Sequence, residues 1–453
     1  MTILSYVLAF LVAIGVLVAV HEYGHFWMAR RLGIRVLRFS IGFGKPLWSR
    51  RGADGTEYAV AAIPLGGYVK LLDEREGPID PGLVTEAYNR KPVWARILVL
   101  LAGPLANFLF AVAAYWVLFV VGVPALKPVV GDVAAESTAA RAGLRPGDEI
   151  LGVGSKDTRT REEAVLALLD GLMNGQAVEM RVADGRGDSR QVRLEVAGDL
   201  RALTEPGALL PGLGFDFWYP AVPARVGKVL PGSPAERAGL REGDEILAVD
   251  GEPVADFAAL VAIVQPKPGV RLDFAVERDG GTLSVPVEVE SQREGERLVG
   301  RIGVQPAAPG ALPEGMRTLE RHGPLGALVH ATDKTWSMSV LTVRMLWNVV
   351  TGDVSVKNLS GPINIAEYAG FSARQGILAF LSFLAIVSVS LFVLNLLPIP
   401  ILDGGQIVYQ LAELAKGSPL SDRAQAVGQQ IGLLLLLVLM SFAFYNDLSR
   451  LFS

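Results

Sequence analysis

Four stretches of this chain contain no charged residue at all: Met1–Val20, Ile97–Leu126, Gln375–Leu402 and Ala424–Asn446. Each reaches the roughly 20 residues that an apolar helix needs to cross a hydrocarbon core. Helices buried inside a large soluble core are the competing reading, but apolar runs of this length are better explained as membrane spans. The first run also invites comparison with a cleaved signal peptide. It lacks a basic leading region and a small-x-small cleavage site, and its removal would strand the most informative motif at the new terminus. It is read as a retained span, and the expected fold is a polytopic α-helical membrane protein with four transmembrane helices.

The loop between the first two runs sets the orientation. Phe26–Arg96 holds twelve Lys/Arg against seven Asp/Glu, with Arg30, Arg31, Arg35 and Arg38 at one membrane end and Arg90, Lys91 and Arg96 at the other. By the positive-inside rule this loop is cytoplasmic. Both termini and the long segment from about Lys127 to Arg374 are then extracytoplasmic, in an inner membrane facing a periplasm. The chain interacts with a lipid bilayer. With a net charge of -4 over 453 residues, it has no basic excess to neutralise a nucleic acid.

The extracytoplasmic segment repeats itself. Val130–Leu151 and Val226–Leu247 share fifteen of twenty-two residues at an offset of 96, too long a period for a solenoid. Each copy reads as a small-residue helix, the sequence AGL, a Gly-Asp turn (Gly147-Asp148 or Gly243-Asp244) and a strand. These copies resemble PDZ domains of the bacterial type. Gly212-Leu213-Gly214-Phe215, just before the second copy, resembles the PDZ loop whose backbone N–H groups hold a peptide carboxylate. The first copy shows no such loop in the same place. Peptide binding and a purely steric, size-filtering role both stay open. The pieces from about Gly315 to Gly370 are amphipathic, suited either to a membrane surface or to packing on the second repeat. His322 and His330 lie there, with no carboxylate spaced beside them as a ligand set.

Chemistry concentrates where the first span ends, in His21-Glu22-Tyr23-Gly24-His25. On a helix the two imidazoles, four residues apart, project from one face and are able to share a tetrahedral cation, while Glu22 sits about 100° around the axis. A zinc ion lowers the pKa of a water to roughly 7, and an adjacent carboxylate then serves as general base. Two histidines leave a catalytic zinc one protein ligand short. With no cysteine in the chain and only two distant histidines left, a carboxylate is expected. Asp403 is the first charged residue after 28 uncharged ones, and it falls at the same membrane depth as His21 and His25. Pro398 and Pro400 just before it break helical hydrogen bonding, which at that depth is tolerated only around an enclosed cavity.

HEYGH in the first span, with Asn395-x-x-Pro398-x-Pro400-x-Leu402-Asp403-Gly404 in the third, resembles the site-2 protease family of intramembrane zinc metalloproteases. Gly103-Pro104-Leu105-Ala106-Asn107 and Ser360-Gly361-Pro362-Ile363 fit as well. Four spans with a PDZ pair between the second and third resemble the family's Gram-negative branch, which cuts anti-sigma factors within their transmembrane segment. The resemblance implies that His21, His25 and Asp403 hold Zn2+, that Glu22 activates water, and that Asn395 contacts the substrate backbone or the tetrahedral intermediate. It further implies that substrate contacts involve Pro398, Pro400, Gly66 and Gly67, and that the loop Ile34–Leu72 is a membrane-associated β-hairpin whose edge clamps an unwound substrate. The expected enzyme is a zinc metalloendopeptidase acting on a single-span membrane protein already trimmed outside, such as an anti-sigma factor, with the trimmed C-terminus as a candidate PDZ ligand.

The organisation expected is a first span in residues 1–30, the hairpin loop in 31–93 and a second span in 94–126. PDZ domains follow in 127–205 and 206–308, then an amphipathic segment in 309–373. A third span in 374–402, a cytoplasmic loop in 403–423 and a fourth span in 424–453 complete it. A metal transporter would need polar residues spread through several spans, and spans one, two and four nearly lack them. A scaffold with a structural zinc would leave Glu22 without a purpose.

Overall fold

The computed structural model describes the chain except residues 1, 176, 197–199, 206, 295–296, 308–312, 355–360 and 453; Ser360 thus lies outside the described residues. Four helices are long and apolar enough to cross a membrane: Leu4–Arg31, Val93–Val121, Ile377–Leu396 and Arg423–Ser449. They lie within α1 (Thr2–Arg31), α2 (Val93–Val121), α5 (Ile377–Leu396) and α7 (Asp422–Phe452). Between them run β1 (Val36–Arg51), β2 (Glu57–Leu71), α3 (Pro324–Thr351), α4 (Pro362–Gln375) and α6 (Asp403–Lys416).

α2 is the central helix. Its small residues Ala102, Gly103, Ala111 and Ala114 are buried, so neighbouring backbones approach closely, as membrane interfaces without a hydrophobic driving force require. α1 crosses it at Gly24, where a β-carbon would overlap the Ala102 carbonyl. On the far side Ala385 of α5 and Ala327 and Ala331 of α3 join Tyr115 and Phe119 in one apolar cluster.

Several expected boundaries move. The second span stops at Val121 because Gly122 takes φ 94°, a left-handed value; the following Val123–Leu126 is a strand that pairs with Arg317–Glu320. The segment 403–423 is mostly the helix α6 rather than a loop. The amphipathic segment contains a long helix that meets the first repeat. Its helix α3 packs on α2 and is tied to the first repeat by Arg344 to Asp170 and by Lys334 to Glu162 at 3.3 Å.

The strands between the first two spans form more than a hairpin. Both bend in the middle, β1 at Gly42 and Gly44 with φ of 92° and 88°. Each half then pairs separately. Arg38–Ile41 pairs with Glu57–Val60 on one side and with Gly67–Lys70 on the other, while Trp48–Arg51 pairs with Glu57–Val60. The result is four short strands side by side with the Gly67–Leu71 half of β2 at an edge. Phe43, Leu47, Trp48 and Ile63 at the bend are exposed.

The two repeats fold alike. Each has a four-stranded antiparallel sheet with the same order of strands, and the repeated segments Glu149–Val153 and Glu245–Val249 occupy the same place in it. The repeated Gly-Asp turn has one job in both: Asp148 accepts the backbone N–H of Arg145, and Asp244 that of Arg241, each at 2.7 Å. Each unit is closed by a short strand from its own C-terminal end. Phe215–Phe217 pairs with Val130–Val133, and Val304–Pro306 with Val226–Val229. Gly212-Leu213-Gly214-Phe215 therefore belongs to the first unit, with Leu213 and Phe215 in its core. This corrects both the division at 205/206 and the assignment of that loop to the second copy. The counterpart in the second unit is Arg301–Val304. Proximity in sequence misleads here because the strand that closes each unit comes last in the chain yet pairs with the strand that opens it.

Candidate metal centre

The α1 helix runs unbroken through His21, Glu22 and His25, so its periodicity alone puts both imidazoles on the face turned to α2 and α6. The third residue arrives from α5. That helix ends at Leu396, and the prolines turn the chain back so that Asp403 opens α6. Gly404 and Gly405 make the turn tight: β-carbons there would overlap the carbonyl groups of Leu396 and Ile399.

The three side chains converge. His21 Nε2 lies 3.1 Å and His25 Nε2 3.4 Å from Asp403 Oδ2, and the two Nε2 atoms are 3.1 Å apart. In a tetrahedral site with ligand bonds of about 2.0–2.1 Å, neighbouring donor atoms stand roughly 3.3 Å apart. The observed triangle fits that edge. Among the described residues this is the one group of three or more His, Asp or Glu side chains so placed. Asp403 Oδ2 is buried with no hydrogen-bond donor assigned to it, as expected of an acceptor that faces a cation. Nitrogen and carboxylate donors with one position left open suit zinc in its catalytic form.

Neighbouring groups fix the two imidazoles. His25 Nδ1 lies 2.7 Å from the Val99 carbonyl, and His21 Nδ1 3.4 Å from the Asn107 side-chain amide. Glu22 is 9% exposed and does not join the triangle. The backbone N–H of Val69, on the edge half of β2, hydrogen-bonds to its carboxylate. Gly67 permits that approach: a β-carbon there would stand 2.9 Å from Glu22 Cγ and 2.7 Å from the Ser40 carbonyl.

A cavity of about 900 Å³ is lined by His21, Glu22, His25, Gly66, Gly67, Asn395 and Asp403. Tyr88 lines its outer part, and burial pushes that phenol up to about 12, so it remains a hydrogen-bond donor. The structure thus brings together every expected site residue of the membrane region except Pro398 and Pro400. Those two do not line the cavity. Pro398 is exposed, and Pro400 packs beside Gly432 of α7 while its carbonyl accepts from Gln406 Nε2 at 2.8 Å. They shape the turn that delivers Asp403. Gly212–Phe215 lies in the first extramembrane unit, away from this cavity. His322 and His330 stack at 4.0 Å between ring centroids, both edge-on to Phe119.

Gly103 and Asn107, four residues apart, were legible as a motif but carried no role. A β-carbon at Gly103 would overlap His25 Nε2, and Asn107 is fully buried beside His21. The available signal was a lone amide in an otherwise apolar span, which is costly unless it has a partner.

The family profile described as Peptidase family M50 matches residues 9–439. The chain is 44% identical over 446 residues to the regulator of sigma-E protease RseP of Escherichia coli (strain K12), covering 98% of each chain. It is 43% identical over 454 residues to the regulator of sigma E protease of Salmonella typhi, and 43% over 455 residues to protease RseP of Yersinia pestis, covering 100% of each chain in both cases.

Proposed function

The chain belongs to peptidase family M50, the site-2 proteases, and from that premise we propose that it hydrolyses a peptide bond inside the transmembrane segment of a single-span membrane protein, in the control of a sigma-E-type response. It is a zinc metalloprotease of the membrane. The observation that carries the finer reading is the convergence of His21, His25 and Asp403 on one point at the end of two spans, with Glu22 alongside but outside the triangle.

His21, His25 and Asp403 hold the zinc. When bound there, zinc supplies Lewis acidity, acidifying a water and polarising the scissile carbonyl. Glu22 takes a proton from the attacking water and passes it to the departing amide nitrogen. The C–O bond forms first and the C–N bond then breaks; the second proton of the water follows to the amine, leaving a carboxylate and an ammonium group. A helical substrate keeps its carbonyls in intrahelical bonds, so it must unwind first. The edge formed by Gly67–Leu71 takes up the freed backbone groups as an added strand, and Asn395, in the same cavity, orients the peptide.

The loop carrying β1 and β2 is cytoplasmic and the repeats extracytoplasmic, in an inner membrane, as the distribution of Lys and Arg supports. The exposed apolar bend of the sheet suits contact with the bilayer surface. The two repeats are PDZ domains, closed by the loops Gly212–Phe215 and Arg301–Val304. Their bulk excludes untrimmed ectodomains. In the second, a groove of about 800 Å³ beside Phe257, Leu260 and Gly303 suits the free C-terminus of a trimmed substrate such as an anti-sigma factor.

Glu22→Gln tests the reading. The variant should retain zinc and fold and lose cleavage of a tethered single-span reporter by about 10²–10⁴-fold. Cleavage at the full rate would sink it.

A further inference from the structure

Both histidines of the triangle point Nε2 at its centre, so a cation there needs the lone pair of each Nε2 and leaves the proton of each neutral ring on Nδ1. For His25 that proton has its acceptor, the Val99 carbonyl at 2.7 Å. For His21 the neighbour is the Asn107 amide. As placed, Nδ2 faces His21 Nδ1 at 3.4 Å, while Oδ1 is buried with no partner. Two donors then face each other, and the acceptor is wasted. Turning the amide half a turn removes the conflict, because oxygen and nitrogen exchange places within the same envelope. Oδ1 accepts from His21 Nδ1–H, and Nδ2 is left for a water or peptide carbonyl in the cavity that Asn107 helps to line.

We infer that Asn107 is a positioning residue of the metal centre, its side-chain oxygen holding His21 in the tautomer that ligates through Nε2. The backbone of the same residue is itself anchored: Ser388 Oγ of α5 donates to the Asn107 carbonyl at 2.8 Å. One residue of α2 therefore links the ligand helix α1 to the span that leads to Asp403. The inference rests on the reading of His21, His25 and Asp403 as zinc ligands.

Zinc affinity of the full-length protein in detergent, measured by competition with a chromophoric chelator, tests it. Outer-shell partners of ligating histidines are worth about 10–100-fold in affinity, so Asn107→Leu should weaken zinc by that factor. Asn107→Asp, which keeps an acceptor and loses the amide donor, should stay close to wild type. Wild-type affinity in the Leu variant, or equal loss in both variants, overturns the inference. If the Leu variant does not fold, nitrogen-15 labelling of the four histidines in the zinc-loaded wild type decides the matter. A hydrogen-bonded proton on His21 Nδ1 is expected, and zinc bound through Nδ1 of His21 overturns it. His25→Ala separates the two levels: if zinc binding survives that change, the ligand assignment itself has failed, whatever Asn107 does.

Discussion

Gly103 of the second span lies directly under the imidazole of His25, so close that a β-carbon there would overlap Nε2, the atom that points at the centre of the ligand triangle. The imidazole has no room to retreat, because its other nitrogen is held by the Val99 carbonyl. Gly103→Ala is therefore expected to displace the His25 imidazole without changing any residue of the triangle. Zinc affinity should fall about tenfold or more, measured by chelator competition, with the helical content of the protein unchanged.

Gly67→Ala should separate catalysis from metal binding. Its β-carbon would push on Glu22 Cγ, Val18 Cγ1 and the Ser40 carbonyl, moving the edge strand away from α1. A misplacement of about 1 Å at a reacting group costs roughly 10²-fold. The expected outcome is such a loss in kcat/KM on a tethered reporter with zinc content at the wild-type level; zinc loss in parallel would count against this division of labour.

Asp447, near the end of α7, accepts the backbone N–H groups of Gly361, Ile363 and Asn364 at 2.9–3.2 Å. It caps the start of α4, where no side chain of α4 itself does so. Asp447→Ala leaves those buried donors unpaired and should cost about 1–3 kcal/mol. Hydrogen exchange is the direct measurement, with protection lost first across Pro362–Gln375.

The second extramembrane unit should be weakened by acid at one identifiable point. Burial raises the Asp244 carboxyl, but hydrogen bonds from Arg278 and the Arg241 backbone outweigh it, so its pKa lies below the ordinary carboxylate value. A pKa depressed by folding contributes stability above the unfolded value, about 3.9, and loses it as pH falls through the folded one. Arg278→Met should therefore lower the exchange protection of Glu245–Val249 at neutral pH, and variant and wild type should converge on acidification. A constant gap between them at all pH values would contradict the assignment.

The parts of this molecule that sequence reveals are those marked by contrast. Uncharged runs stand out as spans because a single charge inside the membrane is expensive, and Asp403 stands out by ending one. His21, Glu22 and His25 are legible because helical spacing by itself fixes which faces they share. The roles of Gly103 and Asn107 stayed hidden, since they depend on which residues of α1 lie across the helix crossing, a tertiary fact without a local pattern. Pro398 and Pro400 are legible as a broken helix near the site, but that the break returns the chain to His21 and His25 is again a tertiary fact. The loop at Gly212–Phe215 shows a further limit. Strand partners are chosen by topology, and the nearer repeat in the chain is not the one it completes.

The contact between Gly24 and the Ala102 carbonyl has a mechanical meaning. α1 and α2 touch backbone to backbone at one level, and His21, His25, Gly103 and Asn107 all lie within a turn or so of it. Any rocking of one helix on the other displaces residues in proportion to their distance from that contact. The ends of α1, near Leu4 and Arg31, form the long arms of such a motion, while His21 and His25 sit at its fulcrum and scarcely travel.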